Sequence, residues 1–261
     1  LSGRNIHSCS LSLNFYLCSM LTNRPLFFNH VAQTSETPLA LEIEKAEGIY
    51  LYGVGGKRYI DLISGISVSN VGHRHPEVLK AIHDQLDKYM HLMVYGEFIQ
   101  SPQTQFAKVL ADQLPENLSA VYFVNSGSEA IEGAMKLAKR YTGRTEIISF
   151  KNAYHGSTQG SLSIMGSEEF KNAYRPLLPD TKQIAYNNID ELKFITERSA
   201  CVIVETVQGE AGAVVPDKNY LKALRERCSQ VGALLVADEI QCGFGRTGTL
   251  FAFEQYDFIP D

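Results

Sequence analysis

Two hydrophobic rhythms run along this chain. From Glu42 to Asp61 (EIEKAEGIYLYGVGGKRYID), apolar and polar residues alternate around Gly53, Gly55 and Gly56. A period of two broken by turn-forming glycines predicts a β-hairpin or meander. After His75-Pro76 the rhythm changes, and Val78, Leu79, Ile82 and Leu86 recur at helical spacing. A second helix is expected over Thr104–Leu114, ended by Pro115. Beyond it, short apolar runs alternate with amphipathic stretches. Ala120–Val124, Glu146–Phe150, Lys182–Tyr186, Ala200–Glu205 and Ala233–Asp238 read as strands. Ser128–Tyr141, with Ile131, Ala134, Met135 and Ala138 on one face, and Asp217–Gln230 read as helices. Near-continuous apolar strands between helices imply an α/β fold, its mainly parallel sheet covered on both faces.

Composition narrows the classes. Hydrophobic content of 44% and charged content of 20% are ordinary for a globular protein. A net charge of -5 and a pI near 5.8 argue against nucleic acid as a partner, because neutralising phosphates needs clustered Lys and Arg. No stretch approaches the roughly 20 apolar residues of a membrane span, so a membrane is not expected as a partner either. Cys9, Cys18, Cys201, Cys228 and Cys242 are odd in number and lack CxxC spacing, which fits reduced thiols in a cytoplasmic compartment. Residues 1–19 are Ser-rich and aperiodic, and Met20 is a plausible start. They read as a leader of doubtful nativeness or, since Glu36 is the first acidic residue, as a transit peptide to an organelle matrix. Ser12, Asn14 and Ser19 interrupt the apolar run that a secretory signal needs.

The candidate chemistry gathers at strand ends. Asn125–Ala130 (NSGSEA) lies where a strand meets a helix. Gly127 allows close backbone approach, and Ser128 offers a hydroxyl and an N–H at a helix N-terminus, a phosphate cradle. The same residues also suit a plain N-cap, with Ser126 or Ser128 capping and Glu129 in the first turn. No P-loop lysine accompanies them, which argues against a triphosphate. Asp238 closes the apolar strand of ALLVADEIQCGFGRTG (233–248), and Glu205 closes another in the same way. Ligands of open α/β sheets bind beyond the carboxyl ends of the strands. An aspartate there can keep a pyridine nitrogen protonated, and Gln241 can donate to a phenolic oxygen on the ring. Soluble carboxylates at strand ends are the simpler alternative. Tyr154, in Tyr154-His155-Gly156, is either a ring-stacking side chain or an ordinary loop aromatic. Two patterns mislead. Gly243–Gly248 matches GxGxxG but does not open directly from a strand into a helix, so it is not a dinucleotide fingerprint. His73-Arg74-His75 lacks a metal-ligand partner at suitable spacing.

Five motifs, in this order, resemble the class III aminotransferases of the ornithine, acetylornithine and 4-aminobutyrate type, pyridoxal-phosphate enzymes of fold type I. They are GHRHPEV (72–78), NSGSEA (125–130), YHG (154–156), ETVQGEAG (205–212) and DEIQCGFGRTG (238–248), and the resemblance covers roughly residues 26–261. It implies pyridoxal 5'-phosphate as cofactor. Gly127 and Ser128 would bind its phosphate, and Tyr154 and Ile240 would pack on its two faces. Asp238 would salt-bridge the ring nitrogen as the catalytic carboxylate, Gln241 would contact the phenolic oxygen, and Glu205 would belong to the surrounding hydrogen-bonded shell. Glu210 matches a substrate-side glutamate that pairs with an arginine in members acting on ω-amines. No metal is implied.

The resemblance also implies a Schiff-base lysine some tens of residues past Asp238, whereas the last lysine here is Lys222. The sequence is therefore expected to be a C-terminally truncated piece, inactive alone. Residues 20–75 would be the N-terminal part of a small α+β domain, and residues 76–261 a truncated cofactor-binding large domain. Ser157 departs from the arginine that ornithine- and acetylornithine-type members carry after this loop's glycine. The expected reaction moves an amino group from an amino acid or ω-amine to a 2-oxo acid, in a protein that is a homodimer when complete. The alternatives are an aminomutase or racemase of the same fold, or a non-catalytic truncation product.

Overall fold

The computed structural model describes residues 23–93 and 96–261. The leader expected over residues 1–19, the start at Met20, and Cys9 and Cys18 lie outside the described residues. The described chain forms two compact units, residues 23–64 with Val71–Lys88, and Gly65–Asn70 with Tyr89–Asp261.

The first unit carries α1 (Asn23–His30), then β1 (Ile43–Glu47), β2 (Tyr50–Gly53) and β3 (Arg58–Ile60). The three strands pair antiparallel in sequence order, the meander that the alternation predicts. Helix α2 (Pro76–Leu86) begins at a proline, whose missing N–H costs nothing in a first turn. His73, from the dismissed metal-like pair, bonds Asp61 through Nε2 at 2.7 Å.

The second unit contains α3 (Ser101–Ala111), α4 (Gly127–Thr142), β4 (Glu146–Phe150), α5 (Gln159–Ser163), β5 (Thr181–Ile184), β6 (Ser199–Glu205), α6 (Lys218–Val231) and β7 (Leu234–Asp238). Its four strands are parallel in the order β5-β4-β6-β7. Successive side chains of a strand point to opposite faces, and this sheet uses both. Val202 and Val204 of β6 and Leu235 of β7 join Leu221, Leu224 and Cys228 of α6 in one core. Cys201 and Ile203 join Ile131, Met135 and Ala138 of α4 in a second core, against which Leu234 and Val236 pack. Every residue of β6 is buried, which is why its sequence shows no alternation. Among the described residues no helix is long and apolar enough to cross a membrane.

Three expectations need correction. Ala120–Val124 is not a strand: no neighbour hydrogen-bonds to it among the described residues, and Tyr122 is 71% exposed. A strand is a paired state, so an apolar run without a partner stays irregular. The helix expected over Thr104–Leu114 sits three residues earlier, because Pro102 fits the first helical turn rather than excluding it. Strand β5 ends at Ile184, and Tyr186 turns its ring against Phe150 and Tyr220.

Candidate active site

Register places the two strand-end carboxylates side by side. Strands β6 and β7 pair Cys201 with Leu234 and continue in step to Glu205 with Asp238. Glu205 and Asp238 share the parity of Ile203 and Val236, so both lean toward the sheet face that α4 covers. Helix α4 presents its N-terminus at that edge. There Ser126 Oγ accepts the Glu129 N–H at 3.2 Å, and Glu129 Oε2 accepts the Asn125 N–H at 2.6 Å. The first bond settles the N-cap question in favour of Ser126, and the second holds the residue before it. This cap releases Ser128 and leaves the first N–H groups of α4 outside the helix's own bonding.

A cavity of about 210 Å³ opens between these elements. Gly127, Ser128, Tyr154, Glu205, Asp238, Ile240 and Gln241 all line it, so the seven cofactor residues expected from sequence converge. Glu210 is not among the lining residues, but its Oε1 accepts Gln241 Nε2–H at 2.7 Å. The fit is close at Gly127, where a Cβ would come within 2.9 Å of Ile240 Cδ1 and the isoleucine side chain would have to shift.

The carboxylates are held by named donors. Asp238 Oδ2 accepts from His155 Nδ1 at 2.7 Å, and its Oδ1 accepts the Ile240 N–H at 3.1 Å. Glu205 accepts the Tyr154 N–H at 3.1 Å on one oxygen and the Gly209 N–H at 3.3 Å on the other. Burial pushes the Glu205 carboxyl up to about 7; the nearby His155 pulls it back and Asp238 adds to the rise. The thiol of Cys242, also in the lining, is pushed up to about 12 by burial and the neighbouring Glu239, so it is an inert wall.

The residues present fit a phosphorylated pyridine. Backbone donors at a helix N-terminus suit a phosphate, a half-exposed tyrosine and an isoleucine offer flat and apolar contacts, and a buried carboxylate suits a ring cation. None of the lining residues is a lysine.

Among the residues that sequence reasoning missed, His155 and Glu239 stand out. His155 sits inside the recognised YHG motif, yet its partner is 83 residues away, and no local pattern announces that. Glu239 looks like a solvated neighbour of Asp238. Its carboxylate instead accepts from Thr206 Oγ1 at 2.6 Å, from Ala252 N at 2.8 Å and from Phe253 N at 2.9 Å, which pins the glycine-rich turn after β7. That turn, with Gly243, Gly245 and Gly248, leads into the 3-10 turn Ala252–Gln255.

The family model "Aminotransferase class-III" matches residues 31–261. A [LysW]-aminoadipate semialdehyde/glutamate semialdehyde transaminase of Sulfurisphaera tokodaii is 42% identical over 85% of this chain and 57% of its own length. An acetylornithine aminotransferase of Methanopyrus kandleri is 41% identical over 89% of this chain and 59% of its own. Among solved structures, the taurine:2-oxoglutarate aminotransferase of Bifidobacterium kashiwanohense, in complex with pyridoxal phosphate and glutamate, superposes with a TM-score of 0.83. It is 28% identical, covering 92% of this chain and 59% of that one. The chain thus spans less than two thirds of the length of each.

Proposed function

This chain belongs to the class-III aminotransferases and has the α/β fold of the type I pyridoxal-phosphate transferases, and we propose that the complete protein is a transaminase. It would move an amino group from an amino acid or ω-amine to a 2-oxo acid, with pyridoxal 5'-phosphate as cofactor. The convergence of seven residues from separate strand and helix ends on one cavity carries this reading.

In this reading Gly127 and Ser128 hold the phosphate with backbone N–H groups and the Ser128 hydroxyl. Tyr154 and Ile240 confine the ring between them. Asp238, kept oriented by His155, holds a proton on the ring nitrogen. Gln241 donates to the phenolic oxygen and Glu205 fixes the Tyr154 backbone. When bound, the cofactor supplies an electron sink for the carbon that bears the amino group. Glu210, bonded to Gln241, would serve the substrate side of the site.

The named relatives make acetylornithine a candidate donor and an ω-semialdehyde a candidate acceptor, but Ser157 offers no bidentate grip on a donor carboxylate. We therefore favour donors that do not depend on that contact. The relatives reported above are all aminotransferases, which leaves the aminomutase and racemase readings without support. The protein is proposed to act in the cytoplasm as a homodimer. Residues 1–261 by themselves are expected to be inactive, since no amine lines the cavity.

The test uses the complete protein. It is saturated with pyridoxal phosphate, desalted, and offered a panel of amino donors with 2-oxoglutarate or pyruvate. Retained cofactor together with amino transfer is expected. A protein that retains no cofactor and transfers no amine overturns the proposal.

A further inference from the structure

Glu132 is one helical turn beyond Ser128 on α4, so the two side chains share a face. Its Oε1 accepts three donors from one short stretch: Thr158 Oγ1 at 2.7 Å, Gly160 N at 2.8 Å and Ser161 N at 3.2 Å. One turn earlier Ser128 Oγ accepts the Ser157 N–H at 3.2 Å. Residues 157–161 are thereby fastened at two points along the first turns of α4. The stretch follows Tyr154-His155-Gly156 directly. The approach is close enough that a Cβ at Gly160 would overlap the Glu132 carboxylate. Tyr154 itself is fastened from the sheet side, through its N–H to Glu205.

We infer that Glu132 is a positioning residue of the cofactor site. It sets the distance between the phosphate cradle at Gly127 and Ser128 and the loop that carries Tyr154 and His155. A phosphate anchored to α4 and a ring packed on Tyr154 belong to one rigid molecule, so the two protein elements must keep one spacing. A carboxylate meets three converging donors better than any neutral side chain, because each bond to it is charge-assisted. Asp at this position would fall a methylene short, and Gln would keep a single acceptor oxygen without the charge.

The inference rests on the proposed cofactor site, and the experiment separates the two. The complete protein and its Glu132→Ala, Glu132→Gln and Thr158→Val variants are stripped of cofactor, then titrated with pyridoxal phosphate. Three quantities are followed: the dissociation constant, the visible circular dichroism of the bound ring at saturation, and the thermal midpoint of the apoprotein. Failure of the unsubstituted protein to bind would sink the proposed function itself. If it binds, Glu132→Ala is expected to raise the dissociation constant about tenfold or more, on the scale of one charge-assisted hydrogen bond. The ring's dichroism should weaken even at saturation. Glu132→Gln should recover part of both, and Thr158→Val should shift both in the same direction by less. Unchanged affinity and dichroism in Glu132→Ala, whatever happens to the thermal midpoint, would overturn the inference. Should Glu132→Ala fail to fold, Thr158→Val and Glu132→Gln decide: unchanged affinity and dichroism in both overturn it equally.

Discussion

His155 Nδ1 lies 2.7 Å from Asp238 Oδ2, with 0% and 4% of the two side chains exposed. The imidazole thus fixes the rotation of a buried carboxylate that lines the cavity. Asparagine at 238 would keep the shape and lose the charge that favours a protonated ring nitrogen. In the complete enzyme, Asp238→Asn is expected to lower turnover on the order of a hundredfold or more. Asp238→Glu should cost far less in cofactor affinity. Steady-state kinetics beside cofactor titration gives both quantities, and near-normal turnover in Asp238→Asn would remove this residue from the site.

Glu205 makes the apoprotein's stability depend on pH. Its carboxyl is raised by burial from 4.5 to about 7. The folded state therefore binds its proton more tightly than the unfolded chain does. The resulting stabilisation is complete below about pH 4.5 and is lost as pH rises through about 7. Glu205→Gln removes this dependence. The unfolding free energy of the complete apoprotein, from denaturant titrations at pH 5 and pH 8, should change less between the two in the variant, by up to about 3 kcal/mol. Identical pH profiles for the two proteins would show that Glu205 titrates normally.

Ser157 bears on the donor. It is exposed, its N–H is engaged by Ser128, and its hydroxyl cannot form the paired bonds that a guanidinium makes with a carboxylate. Ornithine and acetylornithine are therefore expected to be poor donors for the complete enzyme, although relatives at about 41% identity are named for acetylornithine. Comparison of kcat/KM across donors checks this. A strong, selective preference for either compound would mean that another residue supplies the carboxylate grip.

The stretch spanning residues 1–261, expressed by itself, is expected to aggregate or pack loosely. Among the described residues, strand β7 is a sheet edge whose outer side is met only at Leu235, where Asp261 takes the N–H and donates its own to the carbonyl. Tyr122, Leu137 and Tyr141 are 71%, 67% and 78% exposed, so apolar surface surrounds an unpaired segment. Weak near-ultraviolet dichroism and no sharp thermal transition should follow, with no transaminase activity and no single-site borohydride adduct with pyridoxal phosphate. A monodisperse, cooperatively melting sample would contradict the folding part. Turnover with a stoichiometric adduct would contradict the catalytic part.

The amino-acid sequence alone determined the meander, the α/β alternation, the register-bearing strands β4, β6 and β7, and the chemical character of the site. Those features are local: a period of two, a period of 3.6, an N-cap or a glycine-rich turn is written within a dozen residues. Only the tertiary structure decided that Asp238 would meet His155, that Glu239 would tie down the turn after β7, and that Glu132 would grip residues 158–161. It also decided that Ala120–Val124, apolar enough for a strand, would remain unpaired. Each of these depends on which segments the parallel register brings to the same edge of the sheet. Hydrogen bonds across 83 or 28 residues leave no periodic trace along the chain. A carboxylate buried by such contacts looks, in one dimension, like any solvated one.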